Sequence, residues 1–353
     1  MPAPELLLRL LTAAGPSGRE TDPARAWREG CAHFAAEVTA DSVGSSIARV
    51  PGTAPDAPRL AVIGNIDEIG LHVSHIDDDG FLRFGEVGGW DPLVLVGQRV
   101  RIATRSGSIP GVIGRKPIHL MKGPDREKVP AIKDLHIDIG AGDADQARGL
   151  VRIGDAAVID AEPLEMPNQR LVSRALDNRI GCYVAARAAE LVAEAGGARG
   201  DVLALAVTQE ETSFAGSRTS AYAVAPDLAI VVDVTFATDQ PGVDLGPITR
   251  HTLDSGPVIA RGTALHPRVS ELLYATAERE GLPFTVESLG RGTGTDADAV
   301  HVSRAGIPTG LVSVPIRYMH SPVELVSLAD IEGAAKLIAA FAHTLEPGMS
   351  FQR

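Results

Sequence analysis

The feature of the sequence that most restricts the fold is a continuous apolar run at Val202–Val207, followed closely by Glu210 and Glu211. A short run rich in branched side chains is typical of a strand that is buried on both faces, as in a parallel sheet. Thr212 and Ser213 are cap-type residues, and they open a helical segment directly afterwards. Carboxylates at the carboxyl end of such a strand lie where open α/β sheets place their ligand sites.

The same alternation of strand and helix recurs on both sides of a β-rich region. The pattern predicts strands at 59–63, 201–208, 228–233 and 309–314, and helices at 24–38, 177–195, 213–224, 267–280 and 328–345. From about residue 72 to residue 165, short strand-like pieces are divided by Gly, Pro and Asp, which is typical of an all-β module. We therefore predict an α/β fold with a mostly parallel sheet and helices on both faces. Its catalytic domain is discontinuous (1–71 and 166–353), and an inserted β-rich domain covers 72–165.

The charge, the cysteine content and the N-terminal sequence limit the possible binding partners and cellular location. The net charge of −12 argues against nucleic acid or an anionic membrane as a partner. Cys31 and Cys182 form neither a CxxC site nor a disulfide framework, and so few cysteines suit a reducing compartment. The N-terminus lacks a basic region followed by a long apolar stretch, and no apolar run approaches the ~20 residues that span a bilayer. These features predict a cytoplasmic protein.

Acidic and imidazole side chains follow the predicted strands. The set comprises Asn65 and Asp67 after the first strand, Asp177 at a helix start, Glu210 and Glu211 after the second strand, Asp233 at the end of the third, and His320 beyond the last. Because the carboxyl ends of parallel strands share one edge, these side chains can converge. Oxygen and imidazole ligands suit a divalent metal, and a bridging carboxylate gives a two-metal hydrolytic site. Each position alone has an ordinary explanation, such as a helix cap for Asp177, so this hypothesis depends on their convergence.

A resemblance to a known family extends over nearly the whole chain. It rests on these segments: GPSGRE at 15–20, DEIGLHV at 67–73, GGWDPLVLVGQRV at 88–100, GVIGRKPIHL at 111–120, DLHIDIGA at 134–141, ALDNRIGCYV at 175–184, QEETSFAGSR at 209–218, GTDADAVHVSRAGIPTGL at 294–311 and RYMHSPVE at 317–324. The chain resembles the dinuclear metalloaminopeptidases of the glutamyl aminopeptidase and TET aminopeptidase group, some of which carry the label endoglucanase. The resemblance implies a phosphorylase/hydrolase-like catalytic domain with an inserted β-barrel-like domain that serves oligomerisation or substrate access. It also implies a homo-oligomer, often a dodecameric shell.

The resemblance also implies roles for the converging residues. Asp177 would bridge two divalent ions per subunit, which in the family are Zn, Co or Mn. Glu211 and His320 would complete one site, and Asp233 would contribute to the other. Glu210 would be the general base that takes a proton from the metal-bound water, in the hydrolysis of N-terminal residues from a peptide substrate. Asp67 would orient a neighbouring ligand.

One position departs from the family pattern, because Asn65 stands in NIDEIG where the family has a histidine ligand. An amide oxygen is a weaker ligand than imidazole for zinc-like ions, so the site that contains Asn65 is predicted to be weak. Three outcomes follow: a harder ion such as Mn²⁺ or Mg²⁺, a partly filled site, or replacement of the ligand by His72 or His75. Since the base and the other ligands are present, we expect a working hydrolase.

Three other functions remain as alternatives. The same metal centre could hydrolyse another amide, such as an N-acyl amino acid. Asn65 could mark a catalytically impaired scaffold homologue. Glycoside hydrolysis is disfavoured, because Glu210 and Glu211 are adjacent whereas glycosidases hold two carboxyl groups about 5–9.5 Å apart across the sugar bond. A content of 4% aromatic residues also gives little for a sugar to stack on.

Overall fold

The structure is a computed structural model that describes residues 2–245 and 249–352. Its strands, in chain order, are β1 (Glu37–Ala40), β2 (Ser46–Val50), β3 (Leu60–Asn65), β4 (Gly70–Ile76), β5 (Leu82–Val87), β6 (Arg99–Thr104), β7 (Gly107–Arg115), β8 (Leu135–Asp138), β9 (Ala156–Ile159), β10 (Leu164–Met166), β11 (Arg170–Ser173), β12 (Val202–Val207), β13 (Leu228–Phe236), β14 (Val258–Gly262), β15 (Thr285–Leu289), β16 (Thr309–Arg317) and β17 (Glu324–Ser327). They form one large sheet and one closed barrel.

The helices lie mostly in the part of the chain that follows the barrel. They are α1 (Glu5–Thr12), α2 (Thr21–Cys31), α3 (Pro92–Leu95), α4 (Ala144–Leu150), α5 (Leu176–Glu194), α6 (Glu210–Ser213), α7 (Ala215–Val224), α8 (Pro267–Glu280), α9 (Ala297–Val300) and α10 (Leu328–Ala342), with short 3-10 turns at Ile118–Leu120, Gly123–Arg126 and Ile132–Asp134. In the described part of the chain, no helix is both long and apolar enough to cross a membrane.

The helix predicted over residues 24–38 is wrong after Cys31, which is nearly half of its length. Helix α2 ends at Cys31, and strand β1 begins at Glu37. The amide of Ala36 donates to the carbonyl of Arg49 at 2.9 Å, which starts the antiparallel pairing of β1 with β2. Pairing with a neighbouring strand thus outweighs the local helical spacing of apolar residues.

The centre of the large sheet consists of four parallel strands in the order β12, β3, β13, β16. The antiparallel strands β1 and β2 flank one side, and β17, β11 and β10 flank the other. The carboxyl ends of the four central strands therefore meet at one edge, as predicted. Strand β13 continues to Phe236, so Asp233 lies inside the strand, where it is paired with Ser313 of β16.

Both faces of the central sheet are covered, which confirms the predicted fold class. Val62 of β3 packs in a core with helices α1, α2, α5, α8 and α10, whereas its neighbours Ala61 and Ile63 pack in a second core with α7 and α9. Every residue of β3 and β12 is buried, as expected for strands that alternate between two apolar faces.

The inserted region forms a closed barrel with strand order β4, β5, β8, β7, β6, β9. It has its own apolar core, which includes Leu71, Val100 and Ile137. The chain enters the barrel a few residues after β3 and leaves it before β10, so the large sheet is assembled from two separate parts of the chain. The predicted domain bounds, 72–165 and the two flanking segments, stay a prediction.

A buried ion-pair cluster fixes the chain where it leaves β3. Glu68 lies between Arg174 and Arg179, with 2.8 Å between its Oε1 and the Nη2 of Arg179, and it also accepts from the amide of Gly15 at 2.9 Å. Burial disfavours the charged carboxylate, but the two arginines outweigh burial and hold the pKa of Glu68 below its ordinary value. Arg179 is fully buried and also donates to the carbonyl of Ile66 at 3.2 Å. The cluster ties the end of β3 to the start of α5.

Candidate metal centre

Three of the predicted ligands converge at the carboxyl edge of the sheet. Asp177, Glu211 and His320 each offer one donor atom within 4.8 Å of the others. The Nε2 atom of His320 lies 3.3 Å from Oδ2 of Asp177 and 3.7 Å from Oε2 of Glu211. Two carboxylates and one imidazole at this spacing fit a divalent cation.

The imidazole of His320 is oriented by a loop of the barrel. His320 lies beyond β16 with a φ of 58°, which is uncommon outside glycine. Its Nδ1 lies 2.9 Å from the carbonyl oxygen of Gly89. Because a carbonyl only accepts, the proton of the neutral ring sits on Nδ1, and Nε2 is left to face the carboxylates. Gly88 has a φ of +75°, and a Cβ there would lie 2.5 Å from Ile69, so this loop requires glycine.

Glu324 is a residue of the site that the sequence analysis missed. Its Oε2 accepts from the amide of Asp177 at 3.1 Å, and its Oε1 accepts from the amide of His320 at 2.9 Å. Glu324 is therefore a buried brace that sets the distance between two of the converging residues. Burial and then repulsion from Asp177 raise its pKa. The segment RYMHSPVE contains it, but nothing in the spacing points to a bond to residue 177.

Asp67 plays a similar part for the two glutamates. It is fully buried, and its Oδ1 and Oδ2 accept from the amides of Glu210 and Glu211, each at 3.1 Å. Ser17 and Asn65 donate to the same carboxylate through their side chains. Burial raises the pKa of Asp67, although these hydrogen bonds act in the opposite direction. The carboxylate thus holds the start of helix α6 at the edge of the sheet.

Asn65 lies at the end of β3, and both ends of its amide are engaged with the protein. Its Oδ1 accepts from Nδ2 of Asn178 at 2.8 Å, and its Nδ2 donates to Asp67 at 3.2 Å. Its role as a ligand stays a prediction. Among the described residues, the group of converging donors does not include His72 or His75, which lie on barrel strand β4.

Asp233 also lies near the converging ligands but outside their group. Its side chain is buried, and its Oδ1 accepts from the amide of Val234 at 2.8 Å. It lines the same cavity as Asp177, Glu211 and His320. As far as residues 2–245 and 249–352 are concerned, the donors within 4.8 Å of one another do not include it. Its role in a second site remains a prediction.

Within the described residues, no lysine or arginine pairs with the carboxylates of the site. Burial raises the pKa of Glu210, Glu211 and Asp233, and repulsion raises it further, from Asp233 at Glu210 and from Asp177 at the other two. None of the ion pairs among the described residues joins a lysine or an arginine to Asp177 or to these three acids. Buried negative charge needs compensation, and a metal cation would supply it. The donor set therefore fits the ion that the sequence predicts.

A cavity of about 750 Å³ opens onto these carboxylates. Glu210, which has no place in the three-residue group, lines it beside Glu211 and Asp233. The rest of the lining mixes hydroxyl side chains with apolar ones, and the apolar ones include Val234, Phe236, Leu289, Leu311 and Met319. The cavity can therefore hold a substrate that has one polar end near the metal ligands and a side chain directed toward these apolar residues.

Comparison with known proteins identifies the family. A sequence profile described as M42 glutamyl aminopeptidase matches residues 44–337. The chain belongs to this family. The family assignment makes it a metal-dependent peptide hydrolase, and the converging ligands agree with that chemistry.

Individual members of the family match most of the chain. The lysyl aminopeptidase of Pyrococcus furiosus is 35% identical over 313 residues, which cover 88% of each chain. A TET aminopeptidase from a marine sediment Thaumarchaeota archaeon superposes with a TM-score of 0.91 at 32% identity, covering 96% of this chain and 95% of that one. The TET1 peptidase of Pyrococcus horikoshii, which can assemble into a tetrahedron or a large octahedral shell, has a TM-score of 0.84 at 31% identity and covers 96% and 98%.

Proposed function

We propose that the protein is an aminopeptidase that removes N-terminal residues from peptides at a divalent metal centre. The observation that carries the proposal is the convergence of Asp177, Glu211 and His320 on the wall of a cavity, with Glu210 beside them. The test is hydrolysis of aminoacyl-p-nitroanilides by chelator-treated protein with and without Mn²⁺, Co²⁺ or Zn²⁺. Activity that depends on added metal and on a free N-terminal amine is the expected result.

Asp177, Glu211 and His320 would hold one ion, and Asp177 with Asp233 would hold a second. When bound, such ions polarise a scissile carbonyl and lower the pKa of a coordinated water. His320 can serve as a ligand through Nε2 because Nδ1 is engaged with Gly89.

Glu210 is the proposed general base. Its carboxylate would take a proton from the attacking water as the water oxygen bonds to the scissile carbonyl carbon. It would then deliver that proton to the nitrogen of the leaving amine as the C–N bond breaks. The amide of Glu210 is fixed by Asp67, which keeps the carboxylate on the cavity wall.

The second ion site is proposed to be the weaker one, because Asn65 replaces an imidazole and its oxygen already accepts from Asn178. Replacing Asn65 with His is expected to tighten binding of the second metal equivalent by on the order of tenfold, since imidazole is the better ligand for zinc-like ions. Calorimetric titration of Zn²⁺ into metal-free protein measures this, with Asn65→Ala as a control that removes the amide without adding a ligand. Two equally tight sites in the unaltered protein would contradict the proposal.

Glu324 is the proposed support of the first ion site. Glu324→Ala removes the acceptor of two backbone amides and is expected to weaken metal binding by about 10–100-fold, as for other groups that orient ligands. Glu278→Ala, on the exposed surface of α8, is the matched control and should bind metal normally. Unchanged affinity in Glu324→Ala, in protein whose circular dichroism shows it to be folded, would remove Glu324 from the site.

The alternatives give different results in the same assay. A hydrolase of N-acyl amino acids would cleave N-acetylated substrates in preference to free amines. A catalytically impaired scaffold would cleave neither, whatever metal is added. The scaffold is disfavoured because the family is one of peptidases and because Glu210, the proposed base, is present on the cavity wall.

We also propose a homo-oligomer. The TET1 peptidase structure supports this, because a related chain of the same fold assembles into closed shells. Exposed apolar side chains on the barrel agree with buried contacts between subunits: Ile118 is 56% exposed, Leu120 is 64% exposed and Val129 is 63% exposed. Sedimentation velocity would measure the size of the assembly. A cytoplasmic location stays a prediction.

A further inference from the structure

A further acidic side chain lines the cavity without belonging to the converging ligands. Glu287 lies on β15, and its carboxylate reaches across to the central sheet. Its Oε2 accepts from the hydroxyl of Thr235 at 3.3 Å, and its Oε1 accepts from the hydroxyl of Ser313 at 3.4 Å. Ser313 is the strand partner of Asp233. Glu287 is therefore next to the metal end of the cavity without belonging to the metal ligands.

Among residues 2–245 and 249–352, no lysine or arginine forms an ion pair with Glu287. Its carboxylate is held by the two hydroxyl bonds, both near the upper limit of hydrogen-bond length. The other titratable side chain on this part of the wall is His251, whose Nδ1 lies 2.7 Å from the hydroxyl of Thr285. Burial lowers the pKa of His251 and so disfavours the charged form of its ring. Burial also raises the pKa of Glu287, because it disfavours the charged carboxylate, and a cation placed beside the carboxylate would oppose that effect.

Apolar side chains line the same cavity as Glu287 and can pack against an aliphatic chain. Val234 and Phe236 follow Asp233 along β13, and Leu289 lies two residues beyond Glu287 on β15. Lysine and arginine pack their methylene groups against apolar surface while their charged ends reach a polar partner. A cavity lined by both apolar side chains and the carboxylate of Glu287 offers both kinds of contact.

We infer that Glu287 selects substrates whose N-terminal residue is lysine or arginine, by pairing with the charged end of that side chain. The inference rests on the proposed aminopeptidase function, which places the scissile carbonyl at the metal ligands and the N-terminal side chain in the rest of the cavity. Aspartate and glutamate side chains are rejected, because they would bring like charge to the half-buried carboxylate of Glu287. Leucine packs against the apolar side chains of the cavity and gives Glu287 no charged partner.

The experiment compares kcat/KM for the p-nitroanilides of Lys, Arg, Leu and Glu in Mn²⁺-loaded protein. The unaltered protein is expected to prefer Lys and Arg. Glu287→Gln keeps the shape, although one of the two hydroxyl bonds must reverse because an amide nitrogen donates. It is expected to lower the ratio of Lys to Leu by about 30-fold or more, the scale for losing one partner of a desolvated charge pair. Glu287→Lys is expected to favour Glu over Lys. Glu278→Gln, an exposed residue of α8, is the matched control.

Two outcomes would overturn the inference. The first is a preference of the unaltered protein for Leu over Lys. The second is an equal loss for Lys and Leu in Glu287→Gln, which would mean that Glu287 holds the α-amine or supports the fold. If no substrate is cleaved, the proposed function fails, and calorimetric binding of L-lysinamide and L-leucinamide still decides the inference. Tighter binding of lysinamide that is lost in Glu287→Gln supports it, and equal binding of the two overturns it.

Discussion

Replacing Glu210 with Gln is expected to lower kcat by about 10²–10⁴-fold, the usual contribution of a general base. Glutamine has nearly the same shape, and the amide of residue 210 would still donate to Asp67, so the cavity wall is retained. KM and metal content are therefore expected to stay close to those of the unaltered protein. Steady-state kinetics on a p-nitroanilide, together with metal analysis of the same sample, measure all three quantities.

Glu211→Gln is the matched comparison, since it alters the adjacent residue, which is a proposed ligand. It is expected to lose metal as well as activity, whereas Glu210→Gln loses activity alone. If Glu210→Gln keeps more than about one tenth of the activity, a loss well below the general-base range, then Glu210 is not the base. If it loses its metal, Glu210 belongs with the ligands instead.

Replacing Glu68 with Ala is expected to lower the free energy of unfolding by about 3–5 kcal/mol, because it leaves buried arginine charges without a partner. Arg174 and Arg179 both pair with this carboxylate, and both are almost entirely buried. Urea denaturation of metal-free protein, followed by circular dichroism, measures the change. Metal is left out so that loss of the ion does not contribute to the difference.

Glu29→Ala provides the control, since Glu29 also pairs with an arginine, Arg9, but at the surface. An exposed pair of this kind contributes about 0–1 kcal/mol. Equal effects of the two replacements would show that the buried cluster does not hold the end of β3 in place.

The fold and much of the site could be predicted because they depend on local patterns. The buried runs of β3, β12, β13 and β16 read directly as parallel strands, and parallel strands necessarily bring their carboxyl ends to one edge. Asp177, Glu211 and His320 could therefore be expected near one another although about 140 residues separate the first from the last. The family segments named the same residues.

The supporting groups could not be predicted in this way. Glu324 accepts a hydrogen bond from the amide of Asp177, although 147 residues separate the two in the chain. Glu287 bonds to one strand that precedes it in the chain, β13, and to one that follows it, β16. Such contacts depend on which distant strands pair, and the spacing of apolar residues in the sequence does not determine that pairing. The start of strand β1 was assigned to a helix for a similar reason, because pairing with β2 decides its conformation.

The bond between His320 and Gly89 joins the metal centre to a segment that lies between barrel strands β5 and β6. If the proposed ion binds there, its binding and the seating of the barrel against the sheet would be thermodynamically linked, and each would affect the other by the same free energy. Contacts between subunits that press the barrel into place would slow the escape of the ion. A chelator would then remove the ion from an isolated subunit faster than from an assembled one, although the metal ligands are the same in both.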